Sequence, residues 1–185
     1  MCGSDQMETN RRVKMTKRLI KEAFISLIEK SPLNKITVKQ ICENADVNRS
    51  TFYAHYSDQY ALFDEIQEDI INITPKVSLY EKGPILKNLT SFFEFINDNK
   101  RIYKVIFENS TGMYFRNRVL NKLFNRDDKS INWVKNEMEL KNTMHFKMLM
   151  CAFGGITMVE KWIFGEFEAS PEELAVYMAK FIEKA

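Results

Sequence analysis

"ITVKQICENADVNRSTFYAHYSD", from Ile36 to Asp58, decides how this chain folds. Thr37 and Gln40 form the T-x-x-Q pattern of a capping box, in which two side chains satisfy each other's helix-start amides. Val38, Ile41, Cys42 and Ala45 then recur on one helical face, which predicts a helix of barely two turns. "ADVN" reads as a tight turn, and Asn48 suits the N-cap of a third short helix through His55. Two short helices across a four-residue turn make a helix-turn-helix, provided a longer helix supports them.

The flanks supply that support. Leu19, Ile20, Ala23, Phe24, Leu27 and Ile28 share one face and predict a first helix from about Met15 to Lys30, stopped by "SPLNK". After the third helix, Ser57 or Asp58 caps a fourth, which carries Leu62, Phe63, Ile66 and Ile70 and ends near Thr74-Pro75. Beyond "EKGP" a second block begins. Its predicted helices hold Ile85–Ile96, Ile102–Glu108, Tyr114–Phe124, a segment around Trp133, and a long run from Thr143 to Phe164. "SPEE" opens the last, with Ser170 as N-cap, Pro171 in the first turn and Glu173 closing a capping box. The expected class is all-α: a three-helix helix-turn-helix domain, then a helical bundle, about nine helices in all. The expected divisions are a flexible leader at 1–12, the helix-turn-helix at 13–58, a connecting helix at 59–74, and a larger domain at 75–185.

Composition narrows the function. The 185 residues are 45% hydrophobic and 28% charged, an ordinary globular balance. No apolar run approaches a membrane span, and "MCGSDQMETN" lacks the pattern of a signal peptide. The three cysteines, Cys2, Cys42 and Cys151, are far apart and odd in number, which fits a reducing cytoplasm. Net charge is +2, but from Arg11 to Tyr56 ten Lys or Arg face four Asp or Glu, a net of +6. A basic front end on a near-neutral body is the electrostatic footprint of nucleic-acid binding. The run Arg11, Arg12, Lys14, Lys17 and Arg18 adds to it, or is simply a solvated helix start.

The third helix can be divided by geometry. At 100° per residue, Phe52 and Tyr56 fall on one side, one turn apart, where they can pack on the first helix. Ser50 and Thr51 point the other way, with Arg49, Tyr53 and His55 at the margins. Short hydroxyls let a backbone approach base edges, while longer polar groups reach phosphates. Other chemistries lack parts. The only histidines are His55 and His145, with no paired carboxylates in sequence near either, so no metal site is expected. A Thr51–His55 nucleophile pair has no oxyanion loop beside it. No catalytic residue, metal or cofactor is therefore assigned.

The stretch "ITVKQICENADVNRSTFYAHYSDQYALFDEI" resembles the N-terminal domain of the TetR/AcrR family of bacterial transcriptional regulators over about residues 13–70. The resemblance implies a homodimer with an N-terminal domain for double-stranded operator DNA and a C-terminal domain for ligand and dimerisation. Its DNA contacts fall here on Thr37, Ser50, Thr51, Tyr53 and His55. Arg49, together with Val38, Lys39, Asn48 and Tyr56, completes the expected contact set. Two departures stand out: Asp46 occupies the turn position where the family often has Gly, and Gln59-Tyr60 stand where a Lys often meets phosphate.

The C-terminal half has no chemical motif, but many aromatics and methionines. The family's inducer cavity would draw on Phe92, Phe95, Tyr103, Phe107, Phe115, Met144 and Met148, side chains suited to an apolar ligand. The last two helices look like a dimer interface through Ile156, Val159, Trp162, Ile163, Leu174, Tyr177, Met178 and Phe181, with Gly154-Gly155 permitting close approach. The ending also resembles a subgroup that includes regulators of dihydroxyacetone kinase operons. The implied function is a repressor released by a small apolar ligand; the alternative is a regulator, such as an activator, controlled by a protein partner.

Overall fold

The computed structural model describes residues 3–75, 85–109, 113–123 and 143–184, with side-chain detail starting at Asn10 in the first helix and at Met150 in the eighth. Nine α-helices and no strand occur among the described residues: α1 Gly3–Ile28, α2 Val38–Ala45, α3 Arg49–Tyr53, α4 Gln59–Ile73, α5 Ile85–Asp98, α6 Lys100–Asn109, α7 Met113–Leu123, α8 Thr143–Ile163 and α9 Pro171–Lys184. The helix expected around Trp133 lies outside the described residues. The all-helical class is as expected.

Two boundaries differ from the sequence reading. α1 begins at Gly3 and not near Met15, so the leader is helical from that point. Between Ser4 and Met15 there is no proline or glycine, and Gln, Met, Glu, Arg and Lys are good helix formers. α3 closes at Tyr53, before His55; its last turn tightens, with His55 N–H donating to the Phe52 carbonyl at 2.9 Å. Asn48 does occupy the N-cap position, but its side chain makes no capping hydrogen bond.

The chain divides into two compact units, Met1–Asp69 and Ile70–Ala185, and α4 runs through the division. In the first unit α1 packs on α2, and α2 on α3, around buried Ile20, Phe24, Ile41, Phe52, Leu62 and Phe63. The turn between α2 and α3 depends on Asp46, whose backbone is left-handed at φ 52° and ψ 49°. It is the one described non-glycine residue with positive φ. Asp adopts this region at lower cost than most residues, so the missing Gly is replaced without losing the turn.

In the second unit α5 lies along α9, and α8 meets both α6 and α9. Leu89, Phe93, Ile96, Val105, Ile106, Trp162, Leu174 and Ala175 form its interior. Gly165, at φ 76°, ends α8, and the Glu166 N–H donates to the Lys161 carbonyl at 3.0 Å. Ser170 and Glu173 close the capping box of α9, with N···O distances of 2.8 and 3.2 Å.

Candidate nucleic-acid interface

α3 is too short to hold itself, so its orientation comes from anchors beneath it. Phe52 is fully buried, with the rings of Tyr53 and Tyr56 at 5.7 and 5.6 Å. Tyr56 is 4% exposed, a placement that removes it from the expected contact set. Its hydroxyl donates to Glu65 Oε1 at 3.3 Å, and Lys17 Nζ lies 5.3 Å from its ring centroid. Burial, then the Glu65 charge, raises the Tyr56 pKa above the usual tyrosine value, so the hydroxyl remains a donor. Tyr56 therefore anchors the α3 region to α4.

Above the anchors, Asn48, Arg49, Ser50 and Tyr53 are exposed, while Thr51 and His55 are half-buried. Tyr53 is 57% exposed although its ring edge touches Phe52, so its hydroxyl end is free to reach outward. The His55 ring lies against Tyr56 at 6.3 Å. At the start of α2, Thr37 and Lys39 are exposed and Val38 is half-buried. Thr37 is held by the expected capping box: its N–H donates to Gln40 Oε1 at 2.9 Å, and the Gln40 N–H donates to Thr37 Oγ1 at 3.3 Å. Asp58 caps α4 through the N–H groups of Tyr60 and Ala61, and Tyr60 stands largely exposed.

One residue escaped the sequence reading. Glu65 on α4 receives Lys17 at 2.9 Å and Lys21 at 2.6 Å, and Lys21 also pairs with Asp69. Burial would raise the Glu65 pKa, but the bonds from Lys21 and Lys17 outweigh it and hold the carboxyl below its ordinary value. The available signal was two complementary i,i+4 pairs, Lys17/Lys21 on α1 and Glu65/Asp69 on α4.

The expected effector residues divide. Phe107 and Phe115 meet edge-on at 5.5 Å, with Phe107 against the cluster of Leu120, Ala152 and Ile156. Tyr103 is buried, its hydroxyl 2.6 Å from Thr74 Oγ1, and burial pushes its pKa up to about 12. Phe92 and Phe95 are half-buried on α5. The side chains of Met144, Met148 and His145 lie outside the described residues. Arg116 bonds Glu160, and Arg118 lies over the Tyr114 ring.

The expected dimer residues also divide, with a correction. Ile156, Val159, Trp162, Ile163 and Leu174 are buried within their own chain. Trp162 stands edge-on to Phe93 and donates from Nε1 to the Ala169 carbonyl at 2.9 Å. An apolar stripe alone does not distinguish an internal face from a partner face. Met178 is half-buried, its Cε 3.0 Å from where a Cβ on Gly155 would lie, so that glycine admits an intrachain neighbour. Tyr177 and Phe181 stay outside at 66% and 57% exposure. Among the described side chains of α8 the outer positions are Met150, Phe153, Gly154, Thr157 and Lys161, and Phe164 is exposed just past its end.

Among the described residues, no helix is long and apolar enough to cross a membrane. Residues 85–184 match the TetR_C_8 family model, described as a transcriptional regulator C-terminal region. Over 51 residues, 28% of this chain, the sequence is 33% identical to an uncharacterized HTH-type transcriptional regulator, YxbF of Bacillus subtilis strain 168, and spans only 13% of that relative. Among solved structures, a TetR transcriptional regulator from Streptococcus agalactiae 2603V superposes with a TM-score of 0.68 at 23% identity, over 96% of this chain and 98% of that one. The dihydroxyacetone kinase operon activator DhaS gives 0.59 at 18% identity, over 90% or more of both chains (91% and 94%). The fatty acid degradation regulator FadR from Bacillus halodurans gives 0.57 at 13%, over 90% and 94%. The family model spans more than half of the chain, and the chain belongs to the TetR family of transcriptional regulators.

Proposed function

We propose that the chain is a homodimeric, sequence-specific DNA-binding regulator in the cytoplasm. It binds a pseudo-palindromic operator and acts as a repressor released by a small apolar ligand. The observation that carries this reading is the division of the α3 region: Phe52 and Tyr56 are buried beneath, while Arg49, Ser50 and Tyr53 stand outward. Thr37, Val38, Lys39, Asn48, Arg49, Ser50, Thr51, Tyr53 and His55 are the proposed contacts. Residues 13–58 bind DNA, 59–74 connect, and 75–185 hold ligand and partner copy.

The partner copy docks on Tyr177 and Phe181 of α9 and on the outer face of α8. Large exposed apolar side chains at helical spacing support that use. Phe92, Phe95, Tyr103, Phe107 and Phe115 supply the apolar wall for the ligand. Ligand binding favours a state in which the two recognition helices no longer match the operator spacing. A second reading, an activator answering to a protein partner, is favoured by the shared fold with DhaS, itself an operon activator.

Selection of bound duplexes from a random-sequence library tests the reading. The expected product is an inverted repeat with half-sites about one helical turn, or a multiple of it, apart. Recovery of no enriched sequence overturns it.

A further inference from the structure

α3 presents Arg49, Ser50 and Tyr53 outward, yet little in the helix itself fixes how it is turned about its axis. It has five residues, and the Asn48 side chain makes no capping bond at its start. Two aromatic rings sit beneath it. Phe52 is fully buried and its side chain has no polar atom, so its packing is non-directional. Tyr56 is different. Its N–H donates to the Phe52 carbonyl at 2.9 Å, which ties it to the end of α3. Its ring lies 5.6 Å from that of Phe52, and its hydroxyl donates to Glu65 Oε1 on α4 at 3.3 Å. A phenylalanine would fill the same apolar space. The hydroxyl adds a directional contact, and left unpaired in this buried place it would cost free energy.

Glu65 is itself held in place. Oε1 receives Lys21 at 2.6 Å and Oε2 receives Lys17 at 2.9 Å, so two lysines one turn apart on α1 fix the carboxylate. Lys21 also pairs with Asp69, one turn further along α4, and Lys17 lies over the Tyr56 ring. Tyr56 therefore meets a carboxylate that cannot swing away without breaking two ion pairs. Lys17, Lys21, Tyr56, Glu65 and Asp69 all belong to Met1–Asp69. The ion pairs join α1 to α4, and the Tyr56 hydroxyl extends that frame to the end of α3.

We infer that Tyr56 and Glu65 are a positioning pair for sequence selectivity: their contact sets the rotation of α3 that brings Ser50 and Thr51 to base edges. This rests on the DNA-binding reading proposed above. Base edges are read by hydrogen bonds whose geometry tolerates little displacement, whereas phosphate contacts orient the protein without reading sequence. Without the Tyr56–Glu65 contact, α3 turns more freely on its apolar seat. Recognition of the preferred sequence then suffers, while the number of phosphates neutralised stays the same. At 3.3 Å the bond is longer than the common hydroxyl–oxygen contact, so its removal costs the fold little and its effect on DNA is read separately.

The experiment compares wild type, Tyr56→Phe, Glu65→Leu and Glu65→Gln, as full chains, on two duplexes of equal length. One is recovered by the wild type from a random library and the other is scrambled. Thermal melts by far-UV circular dichroism check that each variant is folded at the assay temperature. Tyr56→Phe removes one oxygen and should bind the selected duplex about 3- to 10-fold more weakly, the worth of one net hydrogen bond. Its affinity for the scrambled duplex and its log–log salt slope should match wild type, because the slope counts phosphates. Glu65→Leu removes the acceptor and should lose the same selectivity. Glu65→Gln weakens the ion pairs but keeps an acceptor oxygen, so it should retain selectivity even as its melting point falls. A merely structural role predicts instead that selectivity follows stability across the variants. An unchanged ratio of selected to scrambled affinity in Tyr56→Phe overturns the inference, whether both affinities hold or both fall. So does a loss of selectivity in Glu65→Gln as large as in Glu65→Leu. If the wild type enriches no sequence, the DNA-binding reading itself fails and takes this inference with it, a result distinct from an enriched sequence whose preference Tyr56→Phe leaves intact.

Discussion

The Tyr56 hydroxyl lies 3.3 Å from Glu65 Oε1, so the first buried residue after α3 is fastened to the second turn of α4. The same carboxylate receives Lys17 and Lys21. Its pKa is held low in the folded chain, so its contribution is complete above the ordinary Glu value of about 4.3 and is lost as pH falls through the folded value. Glu65→Gln should lower stability at pH 7 by about 1–2 kcal/mol. The gap from wild type should narrow below about pH 4. Urea melts followed by far-UV circular dichroism at pH 7 and pH 3.5 measure both; an equal gap at the two pH values refutes the linkage.

Tyr53 and Thr51 should fail differently. Tyr53 is assigned to phosphate, so Tyr53→Ala should weaken binding to every duplex by about 3- to 10-fold, the worth of one net hydrogen bond. Thr51 is half-buried beside the exposed Ser50 and is assigned to base edges, so Thr51→Ala should alter which sequence is preferred. Gel shifts on selected and scrambled duplexes separate the two. Unchanged affinity in Tyr53→Ala removes Tyr53 from the interface.

The left-handed Asp46 sets a backbone test. Asp46→Val places a β-branched residue at φ 52° and should cost about 1–2 kcal/mol. Asp46→Gly should be neutral or slightly stabilising, since glycine reaches that region freely. Thermal melts of the two variants should bracket the wild type; a Val variant as stable as wild type contradicts the turn geometry.

Tyr177 and Phe181 provide the assembly test. Tyr177→Glu/Phe181→Glu puts two carboxylates on positions that are exposed in the single chain, so each chain should still fold. If this surface carries the dimer, sedimentation should show monomers, and the inverted-repeat duplex should lose more affinity than a single half-site. A dimer of undiminished strength shows that the contact is elsewhere.

The sequence is most informative where local chemistry decides local structure. Thr37 with Gln40, Ser170 with Glu173, and the core spacing of Phe52 and Tyr56 are each found in the structure. It is least informative where an outcome depends on which apolar face meets which. Trp162 and Leu174 satisfy an interface pattern as well as Tyr177 does, yet neighbours within the chain bury them. Glu65 escapes a sequence reading for a related reason, since its lysine partners lie far away along the chain and only folding brings them together. The polarity of the leader suggests a loop, although its residues favour a helix.

The placement of Trp162 also has an optical consequence. The chain's two tryptophans, Trp133 and Trp162, both fall in Ile70–Ala185, while Met1–Asp69 has no tryptophan and the tyrosines Tyr53, Tyr56 and Tyr60. Excitation near 295 nm, roughly where indole alone absorbs, therefore reports the second unit selectively. Indole emission recorded beside far-UV circular dichroism would show whether the two halves melt together, without adding a label to either.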